Sequence, residues 1–584
     1  MNLQLHSPKR QLRSHARRRR QPSYVPALLL LLVFALCSVA TFAERRERLI
    51  QNWRPLHYDV TLTFNDALDE LARAETKLDV LVLRDNLSVI DLDFGALAID
   101  SLTVGTRAAR YERQGERLNV SLPRPARRGE RLRLSVVYHG RPADGLILTN
   151  DKDGHPSATG DNWPNRVHHW IPSLDHPSAK ATVRFNVTAP RRATVVAGGR
   201  LDARRANSNA TQTWTFTEGA PVPPYCMVVA VGEFATIQPG VLLPTPHVPV
   251  SYYVPPSEQK FAMTGFGAAI PSLKYFSRTI APFPYTKLAH IVGATRFGGM
   301  ENSGAIIYAR TLFDAREPAP LSTRFNVRRG LVEIVAHETA HQWFGDAVTP
   351  ATWSDLWLSE GFATYYAGLF VEHAEGRDAF RDYMRRKAKE YLKYEATRNA
   401  PIHDRETEDL NELLNANNYQ KGAWVLHMLR AELGDAAFFR GVRAYYSAHL
   451  HRTATTEDLR VAFERASGRS LREFFKRWVY ATGHPRYEVT WTWKEEPTRT
   501  NPHAGLLTIR LKQTQADDGG HFPNAIPVEI ITPAGTLRRK FTPTARELAS
   551  FNKLSAPPTD VRIDPDETIL KELIMRTWLT QDRF

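Results

Sequence analysis

The sequence predicts a multidomain α+β protein: an all-β domain comes first, a helix-rich region follows, and a small β-sandwich comes last. Three observations indicate this fold class. The chain has 584 residues, 42% of them hydrophobic, which is ordinary for a globular protein but too long for one hydrophobic core. Apolar and polar residues alternate towards both ends of the chain. The middle of the chain instead carries apolar residues at helical spacing.

The N-terminal β pattern begins at about residue 51. Apolar side chains take every second position of its first run: Leu56, Tyr58, Val60, Leu62 and Phe64. This is the period of a half-buried strand, and similar runs occur at residues 132–138 and 182–188. We therefore assign residues 44–245 to an N-terminal all-β domain, which ends in a proline-rich connection at residues 239–249.

Helical patterns dominate the next region, which we assign to residues 246–483. Apolar residues recur at helical spacing over residues 422–433 and 457–466. Ser470 and Glu473 stand three positions apart just before an apolar run, a pattern typical of a helix capping box. We expect a helix to begin at Ser470.

The period of two returns after residue 484. Two runs alternate in this way: Tyr487, Val489, Trp491 and Trp493, and then Leu507, Ile509 and Leu511. We assign residues 484–584 to a small β-sandwich. We expect no large C-terminal helical domain.

Residues 1–43 have the composition of a targeting segment. Seven Lys and Arg side chains between Lys9 and Arg20 precede an apolar stretch at residues 27–36, and small residues follow. This pattern predicts a signal peptide. The alternative is an uncleaved signal anchor, because residues 25–43 are just long enough to cross a bilayer. Both readings predict an extracytoplasmic protein, either periplasmic or secreted after cleavage, or anchored by one N-terminal transmembrane segment.

Charge and cysteine content argue against two other classes of protein. The formal net charge is +15, but the basic N-terminal segment accounts for much of it. Since no basic stretch interleaved with aromatic residues occurs elsewhere, we expect no nucleic-acid partner. The two cysteines, Cys37 and Cys226, predict no disulfide framework. The sequence leaves the oligomeric state of the protein open.

The stretch from His337 to Glu360 predicts a metal site. His337 and His341 are four residues apart, so on a helix their imidazoles lie on one face about a turn apart. Glu338 completes an HExxH pattern, and Glu360 follows after eighteen more residues. A catalytic zinc ion takes three protein ligands and keeps one position open. His337, His341 and Glu360 supply such a set.

Three motifs in this chain resemble those of the gluzincin zinc aminopeptidases (M1 type), the family of aminopeptidase N and leukotriene A4 hydrolase. The metal motif covers residues 337–345 (HETAHQWFG) and continues at residues 355–363 (DLWLSEGFA). Upstream, residues 298–302 (GGMEN) resemble the family's exopeptidase motif, usually written GAMEN. Downstream, residues 419–423 (YQKGA) resemble the segment that holds its catalytic tyrosine. Weaker similarity covers nearly everything after residue 50.

This resemblance implies a zinc metalloaminopeptidase that removes the N-terminal residue of peptides. It also implies a thermolysin-like α/β fold for the catalytic domain, residues 246–483. One Zn²⁺ per chain would be held by His337, His341 and Glu360. Glu338 would act as general base, and Tyr419 would stabilise the oxyanion of the transition state.

The resemblance further implies a site for substrates with a free N-terminus. The residues of the exopeptidase motif would bind the substrate: Gly298, Gly299, Met300, Glu301 and Asn302. Glu301 would hold the N-terminal ammonium through charge-assisted hydrogen bonds. Asp161 falls where many family members carry an amine-binding glutamine, so it would either serve the same ammonium or be a plain loop aspartate.

Two other functions stay open at this point. One is an epoxide hydrolase of the leukotriene A4 hydrolase type, which the GGMEN spelling favours slightly. The other is a catalytically inactive metal-binding receptor. The presence of Glu338, Glu301 and Tyr419 argues against the receptor, because a degenerate family member would be expected to lose its base first.

Overall fold

A large antiparallel sheet with one parallel pairing forms the first part of the protein. The computed structural model describes residues 44–239, 248–313, 321–516, 520–543 and 546–577, and only the backbone of residues 321–328. The eight strands lie in this order: Arg200–Ala206, Thr211–Val222, Ala181–Pro190, Trp53–Phe64, Leu71–Val82, Arg131–Gly140, Ala98–Val104 and Arg107–Ala108. Trp53–Phe64 pairs with Ala181–Pro190 in parallel, and its Tyr58, Val60 and Leu62 are fully buried. The alternation in the sequence therefore predicted this strand correctly.

Two smaller sheets complete the N-terminal region. The strands of the four-stranded sheet are Thr194–Ala197, Val229–Gly232, Pro156–Gly160 and Leu146–Asn150. Those of the three-stranded sheet are Leu87–Asp93, Arg117–Ala126 and Tyr111–Gln114. The first 239 residues are thus mostly β where the structure describes them, as predicted.

A five-stranded mixed sheet follows, which the helical patterns did not reveal. Its strands lie in the order Ala235–Ile237, Val250–Val254, Leu288–Gly293, Ala305–Ala309 and Gly299–Met300. Every residue of Leu288–Gly293 is buried, so this strand shows no alternation in sequence. Ala235–Ile237 pairs with Val250–Val254 across the predicted domain boundary at residue 245.

Helices form most of the region between residues 321 and 478. The described helices of the chain are Ala262–Gly265, Ala269–Thr279, Leu321–His341, Trp357–Glu375, Arg377–Glu395, Gly422–Leu433, Asp435–His449, Thr456–Ser467 and Arg472–Trp478. A two-stranded parallel sheet, Thr349–Pro350 with Thr453–Ala454, ties this region together. Among the residues that the structure describes, none of these helices is both long and apolar enough to span a membrane.

Two of these helices position the functional residues. We call Leu321–His341 the motif helix and Trp357–Glu375 the central helix. They pack against each other, and the central helix is buried on all sides from Trp357 to Val371. A helix that is apolar all round belongs to the interior of a large domain.

The predicted capping box at Ser470 is wrong. The helix there is Arg472–Trp478, and its N-cap residue, Leu471, makes no side-chain cap hydrogen bond. A capping box does occur one helix earlier, where Thr455 and Asp458 bond reciprocally at the start of Thr456–Ser467. Asp458 replaces the Glu or Gln that usually stands at this position.

The described residues after Gly483 form two sheets. Four strands make up the first: Glu547–Leu554, Gly505–Gln513, Arg486–Glu495 and Glu572–Thr577. Three make up the second: Gly535–Phe541, Ile526–Thr532 and Asp560–Ile563. The order of β, helical and β regions is therefore as predicted.

The domain limits and the targeting segment stay predictions. The described chain from Arg46 onward forms one compact unit. The predicted signal peptide or anchor, residues 1–43, lies outside the described residues.

Candidate active site and metal centre

The two histidines and the glutamate of the metal motif meet at one point. His337 and His341 occupy the last two turns of the motif helix, and Glu360 lies in the first turn of the central helix. The two Nε2 atoms are 3.0 Å apart. Glu360 Oε2 lies 3.4 Å from Nε2 of His337 and 3.3 Å from Nε2 of His341. The structure thus brings together the three ligands that the sequence predicts.

This geometry fits a tetrahedral divalent metal ion. Around a zinc ion with bonds of about 2.0–2.1 Å, neighbouring ligand atoms lie about 3.3 Å apart. Glu360 Oε2 is buried and has no hydrogen-bond partner among the described residues. Although burial disfavours the charged carboxylate, the two neighbouring histidines lower the pKa of Glu360 to about 2. The site therefore presents an ionised carboxylate with an open lone pair to a cation.

Hydrogen bonds orient the ring of His341. Its Nδ1 lies 3.1 Å from the carbonyl oxygen of Phe344 and 3.0 Å from Oγ of Ser359. Because a carbonyl oxygen only accepts, Nδ1 carries the ring proton, and Nε2 presents its lone pair to the cluster. Ser359 directly precedes Glu360, so the central helix supplies both a ligand and a residue that orients another ligand.

Glu338 lies beside the ligands on the motif helix and faces Gly299 of the exopeptidase motif. It is 5% exposed, and burial raises its pKa well above the ordinary value. A Cβ atom on Gly299 would lie 2.3 Å from Oε1 of Glu338. Only glycine leaves room for the carboxylate at this position, which explains the second glycine of the GGMEN sequence.

A glutamine that no sequence pattern indicated joins the exopeptidase motif to the end of the motif helix. Gln342 directly follows the motif helix and is fully buried. Its Nε2 donates to the backbone oxygen of Glu301 at 2.6 Å and to Oδ2 of Asp346 at 2.9 Å. Its Oε1 accepts from the backbone nitrogen of Gly304 at 2.8 Å. Gln342 thereby fixes the distance between the metal ligands and Glu301.

A buried lysine holds the turn that follows the motif helix. Lys180 Nζ donates to the backbone oxygens of Asp346 and Ala347 and to Oγ1 of Thr349, at 2.7, 2.9 and 2.7 Å. Burial lowers the pKa of Lys180 to about 7. These contacts join residues more than 160 positions apart, which no local sequence pattern shows.

Tyr419 stacks on His337. It belongs to one turn of π-helix, Asn417–Lys421, a feature often found at functional sites. Its ring stacks on that of His337 with centroids 5.8 Å apart and an interplanar angle of 11°. Burial raises the pKa of Tyr419 well above its ordinary value, and the charge of Glu360 raises it further. The phenol therefore keeps its proton.

Close approach of two glycines brings Tyr419 to this position. A Cβ atom on Gly361 would lie 3.0 Å from the backbone of Gly422, so the central helix and the helix Gly422–Leu433 touch there. Gly361 follows the ligand Glu360, and Gly422 lies three residues after Tyr419. A larger residue at either glycine would push the tyrosine away from the ligands.

Asp161 is already paired in the structure. Its side chain is fully buried, and Oδ2 accepts from Nη2 of Arg166 at 2.8 Å. Oδ1 accepts from Oγ1 of Thr295 at 2.9 Å. These bonds tie the Asp161 loop to the residues just before the exopeptidase motif. Its role in binding the substrate amine stays a prediction.

A cavity of about 350 Å³ opens onto these groups. Its lining includes the three ligands, Glu338, Tyr419 and four residues of the exopeptidase motif: Gly298, Gly299, Met300 and Glu301. The remaining walls are Trp163, Phe297, Ile334 and Leu414. Asn302, the last residue of that motif, is fully buried, and its Nδ2 donates to the backbone oxygen of Met300 at 3.4 Å.

Glu301 projects into this cavity as a buried carboxylate. It is 6% exposed, and burial raises its pKa to about 7. A carboxylate in such surroundings binds a cationic group through charge-assisted hydrogen bonds. The cavity therefore combines three residues that can bind a metal ion, the carboxylate of Glu338 beside them, and the carboxylate of Glu301, which can bind a cationic group.

Known families and proteins match this chain. The Peptidase family M1 domain matches residues 265–478, and the Peptidase M1 N-terminal domain matches residues 54–226. A probable aminopeptidase 1 of Saccharolobus solfataricus is 26% identical over 440 residues, which are 73% of this chain and 53% of that protein. The leucyl aminopeptidase of the same organism is 28% identical over 355 residues, 59% of this chain and 44% of that protein.

A mammalian protein gives a similar result. The glutamyl aminopeptidase of Rattus norvegicus is 26% identical over 428 residues, 72% of this chain and 44% of that protein. The chain spans about half the length of the curated relatives it matches.

Proposed function

The chain belongs to peptidase family M1, and on this premise we propose that it is a zinc-dependent aminopeptidase that releases the N-terminal residue of peptides. One observation carries the proposal. The ligand atoms of His337, His341 and Glu360 lie 3.0–3.4 Å apart, in the same cavity as Glu338 and Glu301. Metal, base and amine anchor are the three parts that a metallo-exopeptidase needs.

Zinc would be held by His337, His341 and Glu360. When bound, the ion lowers the pKa of a water molecule and polarises the scissile carbonyl. Glu338 accepts a proton from the attacking water and passes it to the leaving amine. Tyr419 donates a hydrogen bond to the carbonyl oxygen as negative charge builds there.

Glu301 sets the position of the cut. Its carboxylate binds the free N-terminal ammonium and holds it at a fixed distance from the ligands, because Gln342 bonds to the backbone of the same residue. Only the first peptide bond then reaches Glu338. This arrangement favours removal of single residues over cleavage within a chain.

Removing one ligand should empty the metal site. We expect Glu360→Ala to retain less than a tenth of the zinc of the parent protein, because two histidines leave the ion under-coordinated. Metal analysis after dialysis against zinc-free buffer measures this content. Full zinc occupancy in the variant would place the third ligand elsewhere.

The cavity walls predict a preference for apolar N-terminal residues. Trp163, Phe297, Met300 and Leu414 line the cavity, and Trp163 meets Phe297 edge to face with centroids 5.8 Å apart. No Lys or Arg is among the described residues that line it, so an acidic side chain finds no cationic side-chain partner there. We expect kcat/KM for leucyl, methionyl and phenylalanyl arylamides to exceed that for aspartyl and glutamyl arylamides at least ~10-fold.

A panel of aminoacyl arylamides measures this preference. The relatives that match the chain carry both leucyl and glutamyl names, so they do not decide it. A higher kcat/KM for the acidic substrates would contradict the assignment of these residues to the side-chain pocket.

The same substrates test the function itself. The zinc-loaded protein should release the arylamine, a chelator should abolish release, and added zinc should restore it. Release that survives chelation would contradict metal dependence. Failure of the zinc-loaded protein on the entire panel would contradict the proposal and return attention to an epoxide substrate or a receptor role.

A further inference from the structure

A second cluster of metal-type ligands lies in the N-terminal β region. His168 and His169 belong to a single 3₁₀ turn, Val167–His169, and Glu116 directly precedes the strand Arg117–Ala126. Nε2 of His168 lies 3.3 Å from Oε2 of Glu116, and Nδ1 of His169 lies 3.8 Å from Oε1 of the same residue. These ligand atoms all lie within 4.8 Å of one another.

The partners of His168 decide which of its nitrogens faces Glu116. Its backbone N–H and its Nδ1 both bond to Oδ2 of Asp175, at 3.1 and 2.8 Å. Asp175 is itself held by a hydrogen bond from its backbone nitrogen to Oδ2 of Asp93 at 2.8 Å. A carboxylate on Nδ1 fixes the tautomer of a metal-binding histidine and leaves Nε2 as the ligand atom. Nε2 and the Glu116 carboxylate then face each other at 3.3 Å, and either a ring proton or a metal ion can lie between them.

The distance between Nε2 of His168 and Oε2 of Glu116 is long for a shared proton and suits a metal ion. A charge-assisted N–H···O bond is typically about 2.7–2.9 Å long. The 3.3 Å separation of His168 Nε2 and Glu116 Oε2 is longer, and it equals the separation of Glu360 Oε2 from Nε2 of His341. It also matches the spacing of about 3.3 Å expected for two ligands of one zinc ion.

His169 supplies a third nitrogen with no bond of its own. Its Nδ1 is buried and has no hydrogen-bond partner among the described residues. A Cβ atom on Gly95 would lie 2.8 Å from this nitrogen, so the glycine keeps a side chain away from it. A buried imidazole nitrogen without a partner is costly unless a ligand satisfies it.

Backbone hydrogen bonds hold Glu116 and His168 in place. The backbone nitrogen of Phe94 donates to the backbone oxygen of Glu116 at 2.8 Å. The next residue, Gly95, donates in the same way to the backbone oxygen of His168 at 2.9 Å. Two consecutive residues, Phe94 and Gly95, therefore hold the backbones of Glu116 and His168. This lowers the entropy cost of ordering the two side chains around an ion.

We propose that Glu116, His168 and His169 form a binding site for one divalent transition-metal ion of the zinc class. Two imidazoles and one carboxylate suit zinc, nickel or copper better than calcium or magnesium, which prefer oxygen ligands. The Glu116 side chain is 62% exposed, whereas the three ligands in the cavity are largely buried. The ion at this site therefore exchanges with solvent and binds more weakly than the ion between His337, His341 and Glu360.

Zinc binding to the full-length protein, measured by equilibrium dialysis against buffered zinc, tests the site. The parent should bind one tight and one weak equivalent. Glu116→Gln and His169→Gln should keep the tight equivalent and lower the affinity of the weak one at least ~10-fold. Glu112→Gln changes an exposed carboxylate on the neighbouring strand, which contacts Gln114, and should keep both equivalents.

A further variant separates this site from the catalytic one. Glu360→Ala should lose the tight equivalent and keep the weak one. A parent that binds only one equivalent would show that a proton lies between His168 and Glu116, and would overturn the proposal. A weak equivalent that is unchanged in both Glu116→Gln and His169→Gln would overturn it too, because the ion would then lie elsewhere.

Discussion

We expect Glu338→Gln to keep its zinc and to lower turnover by about 10²- to 10⁴-fold. The substitution keeps the size of the side chain in the space left by Gly299 and removes only its ability to accept a proton. His337, His341 and Glu360 are unchanged, so metal content should stay at that of the parent. Turnover falls because the attacking water loses its base, and the leaving amine loses its proton donor.

Single-turnover kinetics and metal analysis on the same preparation measure both effects. Glu333→Gln is a matched control on the motif helix, where Glu333 pairs with Arg386 outside the cavity lining. This control should keep turnover within a few-fold of the parent. If Glu338→Gln does the same, Glu338 is not the base.

The second large effect is expected for Tyr419→Phe, which should lower turnover by about 10²- to 10³-fold with little change in substrate affinity. The phenylalanine keeps the ring that stacks on His337, so the fold and the metal should survive. Only the hydroxyl is lost. A donor that acts on charge developing in the transition state changes kcat rather than binding.

A second buried tyrosine provides the control. Tyr383 donates its hydroxyl to the backbone oxygen of Thr364 on the central helix at 2.7 Å and does not line the cavity. Tyr383→Phe should lower stability and leave kcat near that of the parent. Equal kcat values for Tyr419→Phe and the parent would mean that another group stabilises the oxyanion.

Local spacing accounts for the part of the site that the sequence predicted. His337, Glu338 and His341 lie within two turns of one helix, so their relative positions follow from helix geometry alone. Glu360 lies on the central helix, which begins at Trp357. Residues 342–356 connect it to the motif helix and contain other residues of the metal motif. Tyr419 and Glu301 were placed by family resemblance, and the structure brings both to the same cavity.

Contacts between distant segments account for what the sequence missed. Gln342 bonds to Glu301, which is 41 residues away, and Asp161 bonds to Thr295, which is 134 residues away. No periodicity encodes such pairs. The buried pairing of Asp161 with Arg166 also explains why a carboxylate there does not by itself indicate an amine site.

The fold shows the same division between local and distant information. Alternation predicted strands with one buried face, such as Trp53–Phe64. It did not predict that this strand pairs in parallel with Ala181–Pro190. Strands buried on both faces, such as Leu288–Gly293, lack alternation and were missed. The capping box was misplaced because Ser470 and Glu473 have the right spacing, although the helix begins only at Arg472.

The most direct test of the aminopeptidase assignment is a comparison of kcat/KM for one leucyl peptide with a free and an acetylated N-terminus. Acetylation removes the ammonium and leaves Glu301 as a buried carboxylate without its partner. The expected loss is about 2 to 5 kcal/mol, or about 30- to 5,000-fold in kcat/KM. This loss should shrink in Glu301→Gln. Efficient cleavage of the acetylated peptide, or of bonds inside longer peptides, would contradict the account and indicate an endopeptidase.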